Sequence, residues 1–499
     1  MLYESTRGSI DGVNSAQAIH MGISPDGGLF VPEENVKITM DEIKKMKGFN
    51  YKERAFYILK KFIDDYSDEE ICDCVEKAYK RQKFETDDIV PLYKINDYIH
   101  VMELWHGPTS AFKDVALQIL PYLLTKAVQK NKKDVEVVIL VATSGDTGKA
   151  ALEGFKDVEG TKIIVFFPNE GVSEIQKRQM ITQEGENVYS IGVNGNFDDA
   201  QNGVKKIFTN ERLIKEMQKK GLVFSSANSI NWGRLVPQIV YYFSAYVDLM
   251  NNNEISPGDK INFVVPTGNF GNILAAYYAV TMGLPVKKLI CASNQNNVLT
   301  YFIRDGEYNR NRDFVKTISP SMDILISSNL ERLIYHLSER DSELVNELMD
   351  ELKNKGQYYI DDDLKNELAK YFWGGYARED ETVKTIKYIY DEYNYLVDTH
   401  TAVALDVYDK YVIATGDLTK SVIASTASPF KFNKSVAGAV LGEDKIKGIN
   451  EFEISEILSN NSNLKIPDGL LNLEKREIKH ETICEKDEME NVLRTILFA

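Results

Sequence analysis

Cysteine is scarce in this chain of 499 residues, and the four that are present form no recognisable framework. Cys72 and Cys74 are separated by one residue, whereas Cys291 and Cys484 stand alone. This spacing fits neither a disulfide scaffold nor a set of metal ligands, so no metal site is predicted. Reduced thiols are typical of a cytoplasmic protein, and the start MLYESTRG shows no secretory signal pattern, so we expect a cytoplasmic location.

Positive charge is also in deficit, because 59 lysines and arginines face 75 acidic residues and leave a net charge of −16. A surface of this sign repels nucleic acid and anionic lipid, so neither is a predicted partner. The longest uncharged run, residues 261–286, contains Pro266, Gly268, Gly271 and Pro285, which a lipid-facing helix would not carry together. A small anionic substrate remains possible, but it would need local cations working against the global charge.

Hydrophobic residues make up 43% of the chain, enough for a sizeable core, and a length prior of roughly 150 residues per domain suggests about three domains. Residues 1–90 are predicted to be mainly helical after a glycine-rich opening, because apolar positions recur at intervals of three and four. From residue 91, short apolar runs alternate with amphipathic stretches, which predicts an α/β fold with parallel sheets covered on both faces. The predicted strands are VEVVILVA (135–142), KIIVFF (162–167), VYSIGV (188–193), INFVVP (261–266), KKLICAS (287–293) and SVIAS (421–425). Residues 330–400 are charged and helical in pattern.

Two glycine-rich loops follow predicted strands. In TGNFGN (267–272), backbone N–H groups at a helix start can converge on an anion, although a tight turn without a ligand is the alternative. TSGDTGKA (143–150) is no ATPase P-loop, because Thr143 stands where that motif needs glycine and Ala150 where it needs serine or threonine. The dinucleotide pattern GxGxxG is absent from both loops.

One lysine stands out in HGPTSAFKDVALQ (106–118). Desolvation beside Phe112 would lower the pKa of Lys113, as a Schiff-base amine requires, although an ordinary lysine at a helix start is the alternative. A reactive lysine and a later anion-binding loop together suit pyridoxal 5'-phosphate, which needs an amine for its aldehyde and a cradle for its phosphate.

Several motifs, taken in order along nearly the whole chain, resemble the threonine synthase family of fold-type II pyridoxal phosphate enzymes. They are YESTRG, GISPDGGLFVP (22–32), HGPTSAFKD, ATSGDTGKAA, SANSINWGRL, PTGNFGN, SMDI (321–324), HTAVA (400–404) and STASPFKF (425–432). The resemblance implies two parallel-type sheet domains flanked by helices, plus a mainly helical N-terminal domain and a helical insertion. The implied boundaries are 1–90 for the N-terminal domain, 91–130 with 222–435 for the large cofactor-binding domain including the insertion 330–400, 131–221 for the small α/β domain, and 436–499 for a C-terminal segment packed on the body.

The resemblance also implies residue roles. Lys113 matches the catalytic lysine that holds the cofactor, and Asp146 matches a loop residue that faces it. Thr426 matches the hydroxyl beside the pyridine nitrogen. The phosphate cradle matches Gly268, Asn269, Phe270, Gly271 and Asn272. For the substrate, Ser144 and Thr147 match the loop that faces the carboxylate.

Arg234 and Lys431 are the candidates for gripping the substrate phosphate, with surface ion pairing as their alternative. The sequence departs from many relatives at Ser428, where they carry histidine, and at Thr399, where proline often precedes HTA. The change at Ser428 leaves Lys431 as the cation of the SPFKF segment.

The implied activity is conversion of O-phospho-L-homoserine and water to L-threonine and phosphate by β,γ-replacement, the last step of threonine biosynthesis. Lys113, displaced by the substrate amine, would then serve as a general base. The alternatives are a threonine synthase-like phospho-lyase that releases 2-oxobutyrate, ammonia and phosphate, a dehydratase of the same fold type, and a catalytically silent cofactor-binding relative. The oligomeric state, monomer or dimer, is left open.

Overall fold

The computed structural model describes residues 1–131, 134–143, 145–170 and 172–498. Within these ranges a six-stranded and a five-stranded sheet form the α/β body, and two smaller sheets of three and two strands accompany them. The predicted fold class is therefore confirmed. No helix in the described ranges combines the length and the apolarity needed to cross a membrane.

The N-terminal region contains the predicted helices but opens with a small antiparallel sheet. Its elements are β1 (Leu2–Ser5), β2 (Val13–Asn14), α1 (Ser15–Met21), β3 (Phe30–Pro32), α2 (Met40–Lys45), α3 (Tyr51–Lys60) and α4 (Asp68–Ala78). β1 pairs with both β2 and β3. Strands of two to four residues show too little alternation to be recognised in a sequence, so the pattern there indicates only helices.

Capping explains where α2, α3 and α4 begin. In each helix, the side chain of the residue before the helix accepts a hydrogen bond from the backbone N–H of the third helical residue. That third residue is a glutamate, and its carboxylate accepts a hydrogen bond from the backbone N–H of the residue before the helix. The pairs are Thr39 with Glu42, Asn50 with Glu53, and Ser67 with Glu70. These capping boxes place acidic residues at the positive ends of the helices.

The chain then enters the large domain and crosses to the small one. The elements that follow are β4 (Leu92–Lys94), β5 (Ile99–Glu103), α5 (Lys113–Leu117), α6 (Leu120–Lys130), β6 (Glu136–Ala142), α7 (Asp146–Phe155), β7 (Thr161–Pro168), α8 (Glu174–Ile181), β8 (Val188–Asn194), α9 (Phe197–Phe208), α10 (Glu211–Lys219) and β9 (Leu222–Ser225). β9 lies just beyond the predicted boundary at residue 221, yet it pairs with β6 and so extends the sheet of the small domain.

The second part of the large domain begins with a long central helix. Its elements are α11 (Trp232–Asn251), β10 (Ile261–Pro266), α12 (Gly271–Met282), β11 (Val286–Ser293), α13 (Val298–Asp305), β12 (Glu307–Asn309), α14 (Leu330–Leu337), α15 (Ser342–Lys355), β13 (Gln357–Tyr359), α16 (Asp362–Tyr371), β14 (Phe372–Tyr376), α17 (Glu379–Tyr393), α18 (Thr399–Thr415) and β15 (Ser421–Ser425). All but two of the 20 residues of α11 are buried, so the core holds this helix in place.

The six-stranded sheet has the order β14-β11-β10-β15-β5-β4, and only the pair β4–β5 is antiparallel. The region 330–400 therefore differs from the predicted helical insertion, because β14 is an edge strand of this sheet. Its sequence, FWGGY, has two glycines and follows a helix directly, and the strand is formed by pairing with β11.

The C-terminal segment contains α19 (Asn433–Leu441), α20 (Glu443–Ile446), α21 (Glu451–Ser462), β16 (Ile483–Glu485) and α22 (Met489–Phe498). β16 joins the all-parallel sheet of the small domain, whose order is β16-β8-β7-β6-β9. The last part of the segment, β16 and α22, therefore joins the small domain. The preceding helices α19 to α21 pack in the core beside the six-stranded sheet.

Parallel strands bring the functional loops together. β5, β10 and β15 belong to one sheet and run in the same direction, so the loops after their carboxyl ends lie at one edge. Those loops carry Lys113, residues 267–272 and Thr426, respectively.

Candidate active site

Lys113 is the first residue of α5 and is held by a tightly folded loop. The carboxylate of Asp114 accepts hydrogen bonds from Thr109 N at 2.8 Å and Thr109 Oγ1 at 2.6 Å. Gly107 passes so close that a Cβ there would lie 2.5 Å from Asp114 Cβ. The HGPTSAFKD segment thus folds onto its own aspartate, which fixes the backbone that carries Lys113.

The Lys113 amine lies in a largely buried, charged environment. Its Nζ donates to Ser321 Oγ at 3.3 Å and lies 3.6 Å from Asp146 Oδ2. Burial lowers the pKa of Lys113 to about 8; Asp146 opposes that shift, and the positive charges of Arg234 and Lys431 add to it. At pH 7 about a tenth of such amines are neutral, against well under a hundredth for an ordinary lysine. The direction of this pKa shift agrees with the sequence prediction.

Asp146, the first residue of α7, connects the small domain to Lys113. Its Oδ1 lies 3.1 Å from Lys431 Nζ and accepts from Gln176 Nε2 at 3.0 Å, while Oδ2 accepts from Ser321 Oγ at 3.1 Å. Burial disfavours the carboxylate, but the neighbouring charges of Lys431 and Lys113 hold its pKa well below the usual range. Asp146 is therefore a buried carboxylate shared by two lysines of the large domain.

The turn before α7 is shaped by Thr143. Its Oγ1 accepts from the backbone N–H groups of Gly145 and Gly148, both at 3.1 Å. A Cβ on Gly148 would lie 2.2 Å from Thr143 Cγ2, so the close approach requires glycine. The glycines of TSGDTG thus serve a turn that presents Asp146, and Ser144, a predicted substrate contact, lies outside the described residues.

The loop between β10 and α12 presents unused donors. Phe270 has φ +62°, a left-handed conformation that turns the backbone into the helix start. Within the described part of the chain, none of the backbone N–H groups of residues 268–272 donates to an acceptor. Such a set of N–H groups at a helix start is suited to an anion.

Neighbouring side chains hold the carbonyl groups of the same loop. Ser327 Oγ donates to Gly268 O at 2.8 Å, and Asn329 Nδ2 donates to Asn269 O at 2.9 Å. The Asn272 Oδ1 atom accepts from two tyrosine hydroxyls, whereas its Nδ2 is buried and finds no partner among the residues that the structure describes. A buried donor without an acceptor, next to backbone N–H groups that are also without acceptors, can donate hydrogen bonds to the oxygen atoms of a phosphate group.

Thr426 follows β15 and borders the lysine loop. Its carbonyl oxygen accepts from Phe112 N at 2.8 Å, and Ala427 forms an isolated bridge with Ala111. In the described residues no hydrogen bond engages Thr426 Oγ1, which leaves the hydroxyl available to a ring nitrogen. The residues of this edge therefore fit pyridoxal phosphate: an amine, an anion cradle and a hydroxyl.

The candidate cations are both internal. Arg234 lies in the first turn of α11, its Nη1 donates to Ala227 O at 2.7 Å, and burial lowers its pKa to about 10. Lys431 Nζ is fully buried, donates to Thr109 O at 2.7 Å and pairs with Asp146. Surface ion pairing, the alternative considered for these residues, is therefore wrong. Thr147, the second residue of α7, is half-buried beside Asp146.

Sequence reasoning assigned no role to Ser321, His400 or Asp398. In the structure Ser321 contacts Lys113, His400 contacts Ser321, and Asp398 contacts His400. Ser321 and His400 stand in the SMDI and HTAVA motifs, but their spacing indicates no chemistry. Ser321 O also lies 2.8 Å from where a Cβ on Gly268 would stand, so Ser321 adjoins both Lys113 and the anion loop.

We expect Gly268→Ala to weaken binding of pyridoxal phosphate by about 5- to 150-fold, because overpacking against backbone costs about 1–3 kcal/mol. The new Cβ would meet Ser321 O at 2.8 Å and Met322 Cα at 3.3 Å. The measurement is the dissociation constant of the cofactor from fluorescence titration of apoprotein. Gly48→Ala, where a Cβ meets nothing within 4 Å, is the control. An unchanged constant for Gly268→Ala would remove this loop from the site.

Two family models match the chain: "Threonine synthase N terminus" over residues 2–79 and "Pyridoxal-phosphate dependent enzyme" over residues 84–425. The chain is 38% identical to threonine synthase of Pseudomonas aeruginosa over 449 residues, covering 89% of this chain and 91% of that protein. It is 39% identical to Threonine synthase-like 1 of Homo sapiens over 494 residues, covering 96% of this chain but only 65% of that protein. The crystal structure of PLP-bound threonine synthase from Brucella melitensis superposes with a TM-score of 0.89 at 34% identity, covering 100% of both chains.

The fold agrees with the family match, which covers most of the chain. The site agrees with it as well, because a lysine, an anion-binding loop and a hydroxyl lie together at one edge of the sheet. The chain belongs to the pyridoxal-phosphate dependent enzymes. Within that class it is a member of the threonine synthase family.

Proposed function

We propose that this protein is a pyridoxal phosphate-dependent lyase that converts O-phospho-L-homoserine and water to L-threonine and phosphate. The observation that carries the proposal is the position of Lys113, whose depressed-pKa amine lies beside the Asp146–Lys431 pair and is linked through Ser321 to the anion loop. The family match supports the same reaction.

In this proposal Lys113 holds the cofactor covalently, and the N–H groups of residues 268–272 with Asn272 Nδ2 bind its phosphate. Thr426, through its hydroxyl, and Asp146, through its carboxylate, would complete the cofactor site. Bound pyridoxal phosphate supplies an electron sink for the carbanions of the replacement. The chain supplies the positioned groups and the proton transfers.

Lys113 also serves as the proposed general base. When substrate displaces it, its free Nζ lies within reach of Ser321 and Asp146, and a pKa of about 8 lets the neutral amine take up the substrate's α proton near neutral pH. The Asp146–Lys431 pair keeps a balanced charge beside it, so a neutral Lys113 leaves no isolated buried charge.

The substrate carries two anionic groups, and we assign them to different residues. The loop with Ser144 and Thr147 faces the carboxylate. Arg234 is the stronger candidate for the phosphate, because its guanidinium makes a single hydrogen bond within the described chain, whereas Lys431 already serves Thr109 and Asp146. A guanidinium can bind phosphate through two parallel hydrogen bonds. These buried cations provide the local attraction that a protein of net charge −16 lacks on its surface.

A phospho-lyase that releases 2-oxobutyrate, ammonia and phosphate is the second candidate, because the chain is also 39% identical to Threonine synthase-like 1 of Homo sapiens. Both reactions release phosphate from phosphohomoserine, so phosphate alone does not separate them.

We therefore expect purified holoenzyme incubated with phosphohomoserine to yield threonine and phosphate in equal amounts, measured by chromatography of derivatised amino acids and a phosphate assay. Homoserine without phosphate is the control substrate and should yield no threonine. Predominant 2-oxobutyrate would contradict the proposal and favour the lyase. The absence of phosphate release above background would favour a catalytically silent relative.

We propose a cytoplasmic location because none of the four cysteines forms a disulfide in the structure. Three of the four are buried. Such thiols persist in a reducing compartment.

A further inference from the structure

Ser321 occupies the centre of the site without having been assigned a role. Its hydroxyl accepts from Lys113 Nζ at 3.3 Å and donates to Asp146 Oδ2 at 3.1 Å. It stands in a short 3₁₀ turn, Pro320–Met322, which has no regular element on either side. A turn of this kind needs an external contact to hold a hydroxyl between two charged groups.

Asn294 contacts the residues on either side of this turn, Ser319 and Asp323, and His400 contacts Ser321 itself. The backbone N–H of Ser321 donates to His400 Nε2 at 3.1 Å, across 79 residues of sequence. Because Nε2 accepts, it carries no proton, so the imidazole is neutral and its proton resides on Nδ1. Nδ1 in turn donates to Asp398 Oδ2 at 2.7 Å.

Asp398 is fixed independently of Ser321. It is completely buried before α18, where its carboxylate accepts from His400 N at 2.9 Å, Thr401 N at 3.1 Å and the Thr401 hydroxyl. The hydrogen bonds from the backbone N–H groups of His400 and Thr401 cap the start of α18, and neither involves the imidazole. The ring of His400 is therefore not needed for the cap, and its Nε2 is directed to Ser321.

Besides Ser321 and Asp398, His400 is faced by Phe432 and by its sequence neighbour Thr399. Its ring packs against Phe432 with centroids 4.7 Å apart, next to Lys431, and the Thr399 hydroxyl lies 3.4 Å from Nδ1. The His400 side chain thus contacts both the turn that carries Ser321 and the turn that carries Lys431.

We propose that His400 is a positioning residue. Its neutral imidazole holds Ser321 in place, and the Ser321 hydroxyl in turn keeps the free Lys113 amine oriented toward Ser321 and Asp146. This inference rests on the proposed function, in which Lys113 becomes a free amine in every turnover. The bridge acts when the amine must hold one direction for proton transfer, so it affects turnover more than substrate binding. A misplacement of about 1 Å in such a group can cost about 100-fold in rate.

The test uses two substitutions of the same residue that differ in which ring nitrogen they imitate. His400→Asn places an amide near Nδ1 and keeps a donor for Asp398, but it has no acceptor for Ser321 N. His400→Gln reaches the Nε2 position with its amide oxygen and so restores that acceptor. We expect His400→Asn holoenzyme to lose about 10- to 100-fold in kcat with KM within about threefold, and His400→Gln to recover most of the loss.

Ser321→Ala completes the test by removing the bridging hydroxyl. If His400 acts through Ser321, the double variant Ser321→Ala with His400→Asn should be no slower than the slower single variant. His480→Asn, at a histidine whose Nε2 is hydrogen-bonded to the Gln183 carbonyl oxygen, is the control and should retain wild-type kcat. Losses that multiply in the double variant, a normal kcat in His400→Asn, or no recovery in His400→Gln would each overturn the proposal.

A second measurement separates this proposal from the proposed function. The rate at which added pyridoxal phosphate becomes covalently attached to Lys113 in apoprotein, followed by absorbance after rapid mixing, depends on the aim of the amine and on no substrate. We expect this rate to fall in His400→Asn and Ser321→Ala and to recover in His400→Gln. If wild-type protein forms no threonine but the rates follow this order, the proposed function fails while the positioning role stands. Rates equal to wild type would overturn the positioning role.

Discussion

Lys113→Ala is expected to lower kcat for phosphohomoserine by about 10³-fold or more and to abolish the covalent adduct with pyridoxal phosphate. Alanine removes both the amine that holds the cofactor and the base that takes the substrate proton. The adduct is measured by borohydride reduction, proteolysis and mass spectrometry of the peptide that contains residue 113. A reduced adduct on another lysine in the alanine variant would contradict the assignment.

Lys83→Ala is a matched control for this substitution. Burial also lowers the pKa of Lys83 to about 8, but its Nζ contacts the Tyr122 hydroxyl at 3.4 Å instead of Ser321 and Asp146. If a depressed pKa alone made a lysine reactive, both variants would lose adduct. We expect the loss only at Lys113, because the cradle of residues 268–272 places the aldehyde there.

The pH dependence of the rate at which pyridoxal phosphate attaches to the protein is a second test of Lys113. Only the neutral amine attacks an aldehyde, so the attachment rate should rise with pH through about 8 and level off above it. An ordinary lysine would give a rate that is still rising near pH 10.

Asp146→Asn is expected to lower the free energy of unfolding by about 3 kcal/mol, because it leaves the buried Lys431 ammonium without its carboxylate. Amide and carboxylate have nearly the same shape, so charge is the main change. The loss of this negative charge also removes the influence that raises the pKa of Lys113, so the attachment profile should move to lower pH.

Urea denaturation and the attachment profile measure the two effects of Asp146→Asn separately. Asp487→Asn, at an exposed aspartate in the turn before α22, is the control and should change neither. A variant as stable as wild type, with an unshifted profile, would show that Asp146 does not serve the two lysines as a charged partner.

The parts of the fold that could be predicted from the sequence are those in which local pattern and tertiary structure agree. KIIVFF is a run of apolar residues and lies within β7, because a strand covered on both faces of a parallel sheet must be apolar throughout. β14 could not be predicted in this way, since FWGGY carries two glycines and its strand conformation depends on pairing with β11. β16 likewise becomes a strand through its pairing with β8, far away in the sequence.

The same division applies to the site. Lys113 and the loop of residues 267–272 carry their signal locally, as a lysine beside Phe112 and as glycines at a helix start. The contacts of Ser321 could not be predicted, because its partners His400 and Asp146 are 79 and 175 residues away and no local pattern marks such a meeting. Likewise, the burial of Lys431 between Thr109 and Asp146 could not be predicted, because it depends on how the two domains meet.

The most direct test of the proposed reaction is turnover of phosphohomoserine in water enriched in ¹⁸O. In a β,γ-replacement the water oxygen bonds to the β carbon and phosphate leaves with its bridging oxygen, so mass spectrometry should find one ¹⁸O in the threonine hydroxyl and none in the released phosphate. Label in the phosphate, with homoserine as the other product, would indicate simple phosphate hydrolysis and would contradict the proposed function.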